Sequence, residues 1–186
     1  MVCTANMNRS PMAASFLRRR ADELGVEAVV RSAGFLGIGY EAVPDAVDVM
    51  SSRGHDISGH RSAMLTTGLV QRSDLILTMT RDHLRRTAVL VPGAFEKTFT
   101  FKELVRRCLR IGDRRDESLE SWLHRLNLER DPMTLLGEDP DDDIADPMGG
   151  PTEQFVKTAD QISLLVDGVA YHLWGWRPDS GRTAHS

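Results

Sequence analysis

The sequence predicts an α/β fold built on an open, mostly parallel sheet, and three observations carry that prediction. Short β-branched or apolar runs alternate along the chain with longer stretches of helical periodicity, the pattern of strand and helix taken in turn. Leu75-Ile76-Leu77-Thr78-Met79 is a continuous apolar run, not an alternating one, as expected of a parallel strand covered on both faces. From Thr152 to Trp174, the residues Phe155, Ala159, Ile162, Val166, Val169 and Leu173 recur at helical spacing, which gives a long closing helix one apolar side to bury.

The chain has 186 residues, enough for one well-cored domain of ordinary size, since domains run to about 100 to 200 residues. A single domain over residues 1–175 and a polar, flexible tail over 176–186 are expected. With 41% hydrophobic and 27% charged residues, collagen-like, coiled-coil and wholly disordered readings are excluded. The net charge of −4 argues against general nucleic-acid binding, which shows a basic excess. No apolar run approaches the ~18 residues of a membrane span, and Met1-Val2-Cys3-Thr4 lacks the features of a secretory signal. Two cysteines, Cys3 and Cys108, make neither a disulfide framework nor a four-cysteine zinc site, which fits a reducing compartment. The cytoplasm is the expected location. Nothing in the sequence assigns an oligomeric state.

Taken in order, the first helix is expected from Ser10 to Leu24. Ser10 can cap it, Pro11 suits a first turn where the missing N–H is harmless, and Gly25 suits a left-handed C-terminal position. Ala13, Phe16, Leu17 and Leu24 supply its buried stripe, and Arg18 to Arg20 a solvated face. Val26 to Ala33 is a β-branched run ending at Gly34, so a strand is predicted, then a loop through Pro44. A short helix follows from Asp45 to Arg53, stopped by Gly54, with a loop over His55 to His60. After the apolar strand at 75–79 come a helix from about Arg81 to Val89 and a short strand around Thr98 to Phe101. Residues 102–137 read as an amphipathic helical insertion, with Leu104, Val105, Cys108 and Leu109, then Leu119, Trp122, Leu123 and Leu126 at helical spacings. An acidic loop from Glu138 to Gly150 precedes the closing helix.

The stretch that carries chemistry is Cys3-Thr4-Ala5-Asn6-Met7-Asn8-Arg9-Ser10, a cysteine followed after five residues by an arginine and a hydroxyl residue, just before a helix. If it curls at the helix N-terminus, its backbone N–H groups converge on one point where the helix dipole also favours negative charge. Arg9 adds a planar fork of donors suited to two phosphate oxygens. The field that welcomes a phosphate also stabilises Cys3 as thiolate, the form that acts as nucleophile. A cysteinyl-phosphate intermediate would split one hard displacement into two easier ones. Ser10 could hydrogen-bond the sulfur and help it leave.

Such chemistry needs an acid for the leaving oxygen. The candidate is Asp146 in Asp143-Ile144-Ala145-Asp146-Pro147-Met148-Gly149-Gly150, where the proline stiffens the backbone. Its competing reading is a solvated charged turn, because Glu138, Asp139, Asp141, Asp142 and Asp143 crowd the same region.

The Cys-x5-Arg-Ser loop near the N-terminus together with a distant Asp-Pro resembles the low-molecular-weight protein-tyrosine phosphatase family. The resemblance runs through Asn6, Ser10-Pro11, Ser32-Ala33-Gly34, the Gly59-His60 region, Asp74 to Met79, Asp146-Pro147 and the closing helix. It leaves out about 105–137 and the tail. It implies a three-layer fold with a central four-stranded parallel sheet flanked by helices, no metal, no cofactor, and hydrolysis of phosphotyrosine monoesters. By the same resemblance Cys3 is the nucleophile, Arg9 the phosphate clamp and Asp146 the acid and base. Thr4, Ala5, Asn6, Met7, Asn8, Arg9 and Ser10 form the phosphate-binding loop, and Asn6, Ser10 and His60 support its shape. A tyrosine-phosphorylated protein or a small phosphate ester is the implied partner, with no nucleic acid and no membrane.

The departures are specific. Asn8 stands where many members carry a second cysteine able to trap the nucleophile in a reversible disulfide. Cys108 reads as a buried small hydrophobe instead of a substitute. The family's aromatic pair after Asp-Pro is here Met148-Gly149, so Tyr40 or Phe35 would have to supply an aromatic wall. Only Met1-Val2 precede Cys3, so a curtailed first strand is expected, either from a start codon placed late or with a cost to stability. Two rival readings are an arsenate reductase using an external thiol and a phosphate or phosphopeptide binding module without turnover. A metal-dependent phosphatase is harder to support, because His55 and His60 lack a matching third ligand.

Overall fold

A computed structural model describes residues 1–177. Apart from Arg177 and the preceding Trp176, the expected tail lies outside the described residues. The helices are α1 (Arg9–Leu24), α2 (Pro44–Ser51), α3 (Thr67–Arg72), α4 (Arg81–Leu90), α5 (Phe101–Ile111), α6 (Leu119–Asn127) and α7 (Thr152–Trp174). The strands are β1 (Ile76–Thr78) and β2 (Thr98–Thr100), and 3-10 turns lie at Pro92–Lys97 and Pro132–Leu135. The helix α3 had no sequence expectation; it begins where the Thr66 side chain accepts from the Leu69 amide.

β1 and β2 pair in parallel with Ile76 opposite Thr98 and Thr78 opposite Thr100. Of the four strands expected, two, β1 and β2, are regular strands among the described residues. Val2 forms single parallel bridges to Ala33 on one side and Thr78 on the other, so Ala33, Val2, Thr78 and Thr100 lie in one row. The predicted strand from Val26 to Ala33 is reduced to that bridge at Ala33. Met1 N donates to Arg31 O, Ala33 N to Met1 O and Cys3 N to Ala33 O, and Val29 is 84% exposed. A groove of about 1020 Å³ opens beside this segment, lined by Met1, Val30, Arg31, Leu75 and Leu77 among others. It contains no residue of the Cys3 to Ser10 loop beyond its neighbour Met1.

Because successive strand side chains point to opposite faces, the sheet separates two apolar clusters. Leu77 and Phe99 face the larger one, with Met12, Phe16, Ala46, Met50, Ile162 and Val166 of α1, α2 and α7. Val2, Ala33 and Ile76 face the smaller, with Leu65, Val70 and Ala94. This gives the three layers. Leu104, Cys108, Trp122 and Leu126 join the larger cluster, so the segment at 102–137 extends the core. Its α5 begins one residue after β2 and packs on α7.

The stop at Gly25 is as expected. Gly25 has φ +64, its N–H bonds Asp22 O at 3.1 Å and the Val26 N–H bonds Ala21 O at 2.9 Å, a pair that closes the helix end with a residue free to be left-handed. The start differs. α1 opens at Arg9 with Asn8 at the cap position and no side chain capping it, so Ser10 is not the cap. The first-turn N–H groups are left for another acceptor. Among the described residues no helix is long and apolar enough to cross a membrane.

Candidate active site

Residues 3–8 form a loop between the Val2 bridge and the first turn of α1. Cys3 is buried, and its Sγ lies 3.0 Å from Ser10 Oγ and accepts the Asn6 N–H at 3.3 Å. That places Ser10 beside the sulfur instead of at the helix cap. The bend of the loop is made at Asn6, whose φ of +56 is a left-handed conformation that asparagine tolerates better than most side chains. Its own groups hold it there. Asn6 Nδ2 donates to Ser10 Oγ at 2.8 Å, Asn6 Oδ1 accepts from the Ala63 N–H at 2.8 Å, and His60 Nε2 donates to Asn6 O at 2.7 Å. Burial, with Arg18 and Arg61 nearby, pushes His60 below the usual imidazole range against the contrary pull of that bond. His60 and Asn6 thus meet as the resemblance implied.

Gly34 closes the other side of the loop. A Cβ there would come within 2.7 Å of Thr4 O and 2.8 Å of Asn6 N. Both are backbone atoms of the loop, so the residue has to be glycine for the loop to sit where it does.

Arg9 is 3% exposed. Its Nη1 donates to Ile144 O at 2.9 Å, and Nη2 reaches Asp146 Oδ2 at 2.5 Å and Thr4 Oγ1 at 3.4 Å. Arg9 Nε and Asn8 Oδ1 are the buried side-chain polar atoms that have no hydrogen-bond partner among the described residues. Both belong to this loop. A buried donor without a protein acceptor costs stability unless a ligand takes it.

Asp146 comes to Arg9 on a loop that is anchored, not solvated. The Ile144 N–H bonds Met79 O at 2.8 Å, just past β1, and the Ile144 side chain is buried. Asp142 is 1% exposed and is gripped by Arg81 and Arg106 at 2.7 and 2.6 Å. Asp143 Oδ1 accepts the Arg81 N–H at the start of α4, and Lys102 Nζ donates to the carbonyls of Pro140 and Asp143. Much of the acidic cluster that suggested a charged turn is therefore a clamp. Asp146 Oδ1 accepts the Met148 N–H at 3.2 Å, a turn of aspartate around proline that aims the other oxygen at Arg9. Met148 Sδ lies 4.0 Å from Asn8 Nδ2.

The loop after Gly34 runs past the mouth. The Phe35 N–H bonds Thr4 O at 2.7 Å and the Val43 N–H bonds Met7 O at 3.3 Å, so the intervening Leu36, Ile38 and Tyr40, all exposed, border the site. Of the two candidate walls, Phe35 is turned away: its ring stacks on His83 and carries Arg86 on it. His55 is taken up by Ser15 and Arg19. Cys108 is buried in the core, and burial with Asp113 nearby pushes its thiol up to about 12.

One residue of the site had no sequence expectation. His83 Nε2 lies 2.9 Å from Thr4 Oγ1. The signal for it was faint: a threonine directly after an apolar strand and a histidine three residues on, Thr80 and His83, at a helix start.

A cysteine on a loop at a helix N-terminus, a buried arginine and an aspartate brought from the far end of the chain meet beside an α/β sheet, the arrangement expected of a phosphatase. The statistical model of one family, Low molecular weight phosphotyrosine protein phosphatase, matches residues 1–116. The chain belongs to that family. It is 40% identical over 104 residues to a probable low molecular weight protein-tyrosine-phosphatase EpsP of Ralstonia solanacearum, covering 56% of this chain and 70% of that one. It is 32% identical over 173 residues to a protein-arginine-phosphatase of Geobacillus stearothermophilus, covering 92% and 93%. Among solved structures, a low molecular weight protein tyrosine phosphatase from T. tengcongensis superposes with a TM-score of 0.71 at 30% identity, covering 92% of this chain and 96% of that one.

Proposed function

We propose that this phosphatase hydrolyses phosphotyrosine monoesters in proteins through a cysteinyl-phosphate, with Cys3 as nucleophile, Arg9 as phosphate clamp and Asp146 as acid and base. The observation that carries it is the placement of Cys3 Sγ among Ser10 Oγ and the Asn6 N–H, in the same loop as a buried Arg9 whose Nε has no protein partner. A phosphate monoester monoanion in the loop takes the Arg9 donors, frees Asp146 from its ion pair and passes its own proton to the freed carboxylate. Sγ then attacks phosphorus as the bond to the leaving oxygen breaks, and the Asp146 carboxyl gives that oxygen its proton. In the second step water attacks, Asp146 takes the water's proton, and the sulfur leaves against the Ser10 hydroxyl. The loop residues Thr4 to Ser10 hold the phosphate, and His60 holds the loop through Asn6.

The mouth supports an aromatic ester. Leu36, Ile38, Tyr40 and Met148 are exposed apolar residues on the segments beside the loop, which supports a phenyl ring as the leaving group. Phosphoarginine is the second reading, favoured by one observation: the relative named an arginine phosphatase matches nearly the whole chain. Neither reading needs a metal or cofactor. An arsenate reductase with an internal thiol relay is not supported, since Asn8 replaces the second loop cysteine and Cys108 is held in the core.

Peptides carrying phosphotyrosine, phosphoarginine and phosphoserine decide the matter. Higher kcat/KM on phosphotyrosine is expected, and preference for phosphoarginine would overturn the first reading. Cys3→Ser should abolish turnover yet still bind orthovanadate. Asp146→Ala should slow phenyl phosphate by about a hundredfold, the usual range for a general acid, and p-nitrophenyl phosphate much less.

A further inference from the structure

His83 belongs to no part of the mechanism above, yet it is buried beside the phosphate loop. A chain of hydrogen bonds accommodates the tautomer that carries its proton on Nε2. The His83 backbone N–H donates to Thr80 Oγ1 at 3.2 Å, so that hydroxyl has used one acceptor site and can direct its own proton to His83 Nδ1 at 2.8 Å. A neutral imidazole that accepts at Nδ1 must donate at Nε2, and Nε2 faces Thr4 Oγ1 at 2.9 Å. Arg9 Nη2 approaches the same oxygen at 3.4 Å. In that tautomer two donors are directed at the Thr4 oxygen, its acceptor capacity is used, and its own proton points to a third group.

We infer that His83 is a positioning residue that turns the Thr4 hydroxyl proton toward the bound phosphate, making Thr4 a side-chain donor in addition to the loop amides and Arg9. The inference rests on the catalytic reading above and adds to it a second histidine beside the loop, far along the chain from His60. The ring is held in place by packing as well as hydrogen bonds. Phe35 stacks on it with centroids 5.9 Å apart and planes 10° from parallel, and the Arg86 guanidinium lies 4.0 Å from the Phe35 ring centre. The charged groups that face His83 are Arg9 and Arg86, and with burial they push it down to about 3. The ring is accordingly neutral in the working pH range, as the donor and acceptor pattern requires. A protonated ring would donate from both nitrogens and force Thr80 to reverse its hydroxyl.

The test uses full-length Thr4→Val, Thr4→Ser, His83→Ala, His83→Gln and the double variant Thr4→Val with His83→Ala. The readouts are kcat/KM on p-nitrophenyl phosphate, orthovanadate affinity and Tm. Thr4→Val and His83→Ala should each lower kcat/KM and orthovanadate affinity about tenfold, the size of one hydrogen bond to a charged group. Thr4→Ser, which keeps the hydroxyl, should recover most of the loss seen in Thr4→Val, and His83→Gln, whose amide N–H can replace Nε2–H, most of the loss seen in His83→Ala. The double variant should be no worse than either single one. A multiplicative, roughly hundredfold loss in the double variant, or unchanged orthovanadate affinity in Thr4→Val, would overturn the inference. If His83→Ala lowers Tm enough to obscure the result, the Thr4 pair and His83→Gln decide it alone. Turnover by Cys3→Ser would instead overturn the nucleophile, a separate outcome.

Discussion

Single atoms decide the geometry of the phosphate loop. Gly34 shows this most directly, because the hydrogen in place of its side chain lets the backbone of Thr4 to Asn6 pass at contact distance. Gly34→Ala forces that backbone outward, and overpacking of this kind costs about 1–3 kcal/mol. The Tm should fall, and kcat/KM on p-nitrophenyl phosphate should fall by more than the loss of folded protein explains. Normal turnover in a folded Gly34→Ala protein would refute the close approach. At this scale much of the site was legible in the sequence. Cys3, Arg9 and Ser10 are fixed by their spacing on a helix N-terminus, and Asn6 is a residue suited to positive φ. His83 was not legible, because its meeting with Thr4 spans 79 positions and depends on how α4 leaves β1. The cap was misread for a related reason: the Ser10 hydroxyl serves the sulfur and Asn6, so it is unavailable to the helix end.

At the scale of elements, the acid loop is the part that sequence reading undervalued. A run of aspartates looks solvated until its cations are known, and those cations lie on α4 and α5, as Arg81, Lys102 and Arg106. The aspartate buried by them, Asp142, sits four residues before the proposed acid. Asp142→Asn removes a buried carboxylate from two arginines. The cost should be about 2 kcal/mol, below the ~3–5 of a fully enclosed pair, because Arg106 is 55% exposed. Urea unfolding measures that term. In the folded variant, kcat on phenyl phosphate should drop more than on p-nitrophenyl phosphate, since a loosened loop misplaces the acid and not the nucleophile. Equal losses on both esters would sever the loop from the acid step. The closing helix was legible over the whole of Thr152–Trp174, since its apolar spacing is long and its end is marked by Gly175. The segment Val26 to Ala33 was misread as a strand because β-branched residues report suitability for a sheet, not the presence of a partner.

For the molecule as a whole, buried imidazoles set the response to acid. His83 is pushed from 6.5 down to about 3 by burial first, then by Arg9 and Arg86. As pH falls through 6.5 the unfolded chain takes up a proton there that the folded protein refuses until about pH 3. Stability from this group is therefore complete above 6.5 and declines between 6.5 and 3, by about 1.4 kcal/mol per pH unit once well below 6.5. His55 and His60 are shifted in the same direction, chiefly by burial, and steepen the decline. Urea midpoints measured from pH 7.5 to pH 5 should fall, and His83→Gln should remove about one proton's share of the slope. A slope unaltered by that substitution would show that His83 takes up its proton in the folded state as freely as in the unfolded one.

The sheet's narrow stitching at Val2 has a further consequence. The bonds that hold this flank run between Met1, Val2 and Cys3 and the pair Arg31 and Ala33, so residues 26–30 have no strand ladder among the described residues to resist local opening. Amide hydrogens there should exchange with deuterium far sooner than those of β1, and trypsin should find Arg31 in the native protein before it reaches the arginines of α4. The proposed nucleophile is a chain neighbour of this seam, and a ligand that stiffens the loop at 3–10 should slow exchange in that flank as well.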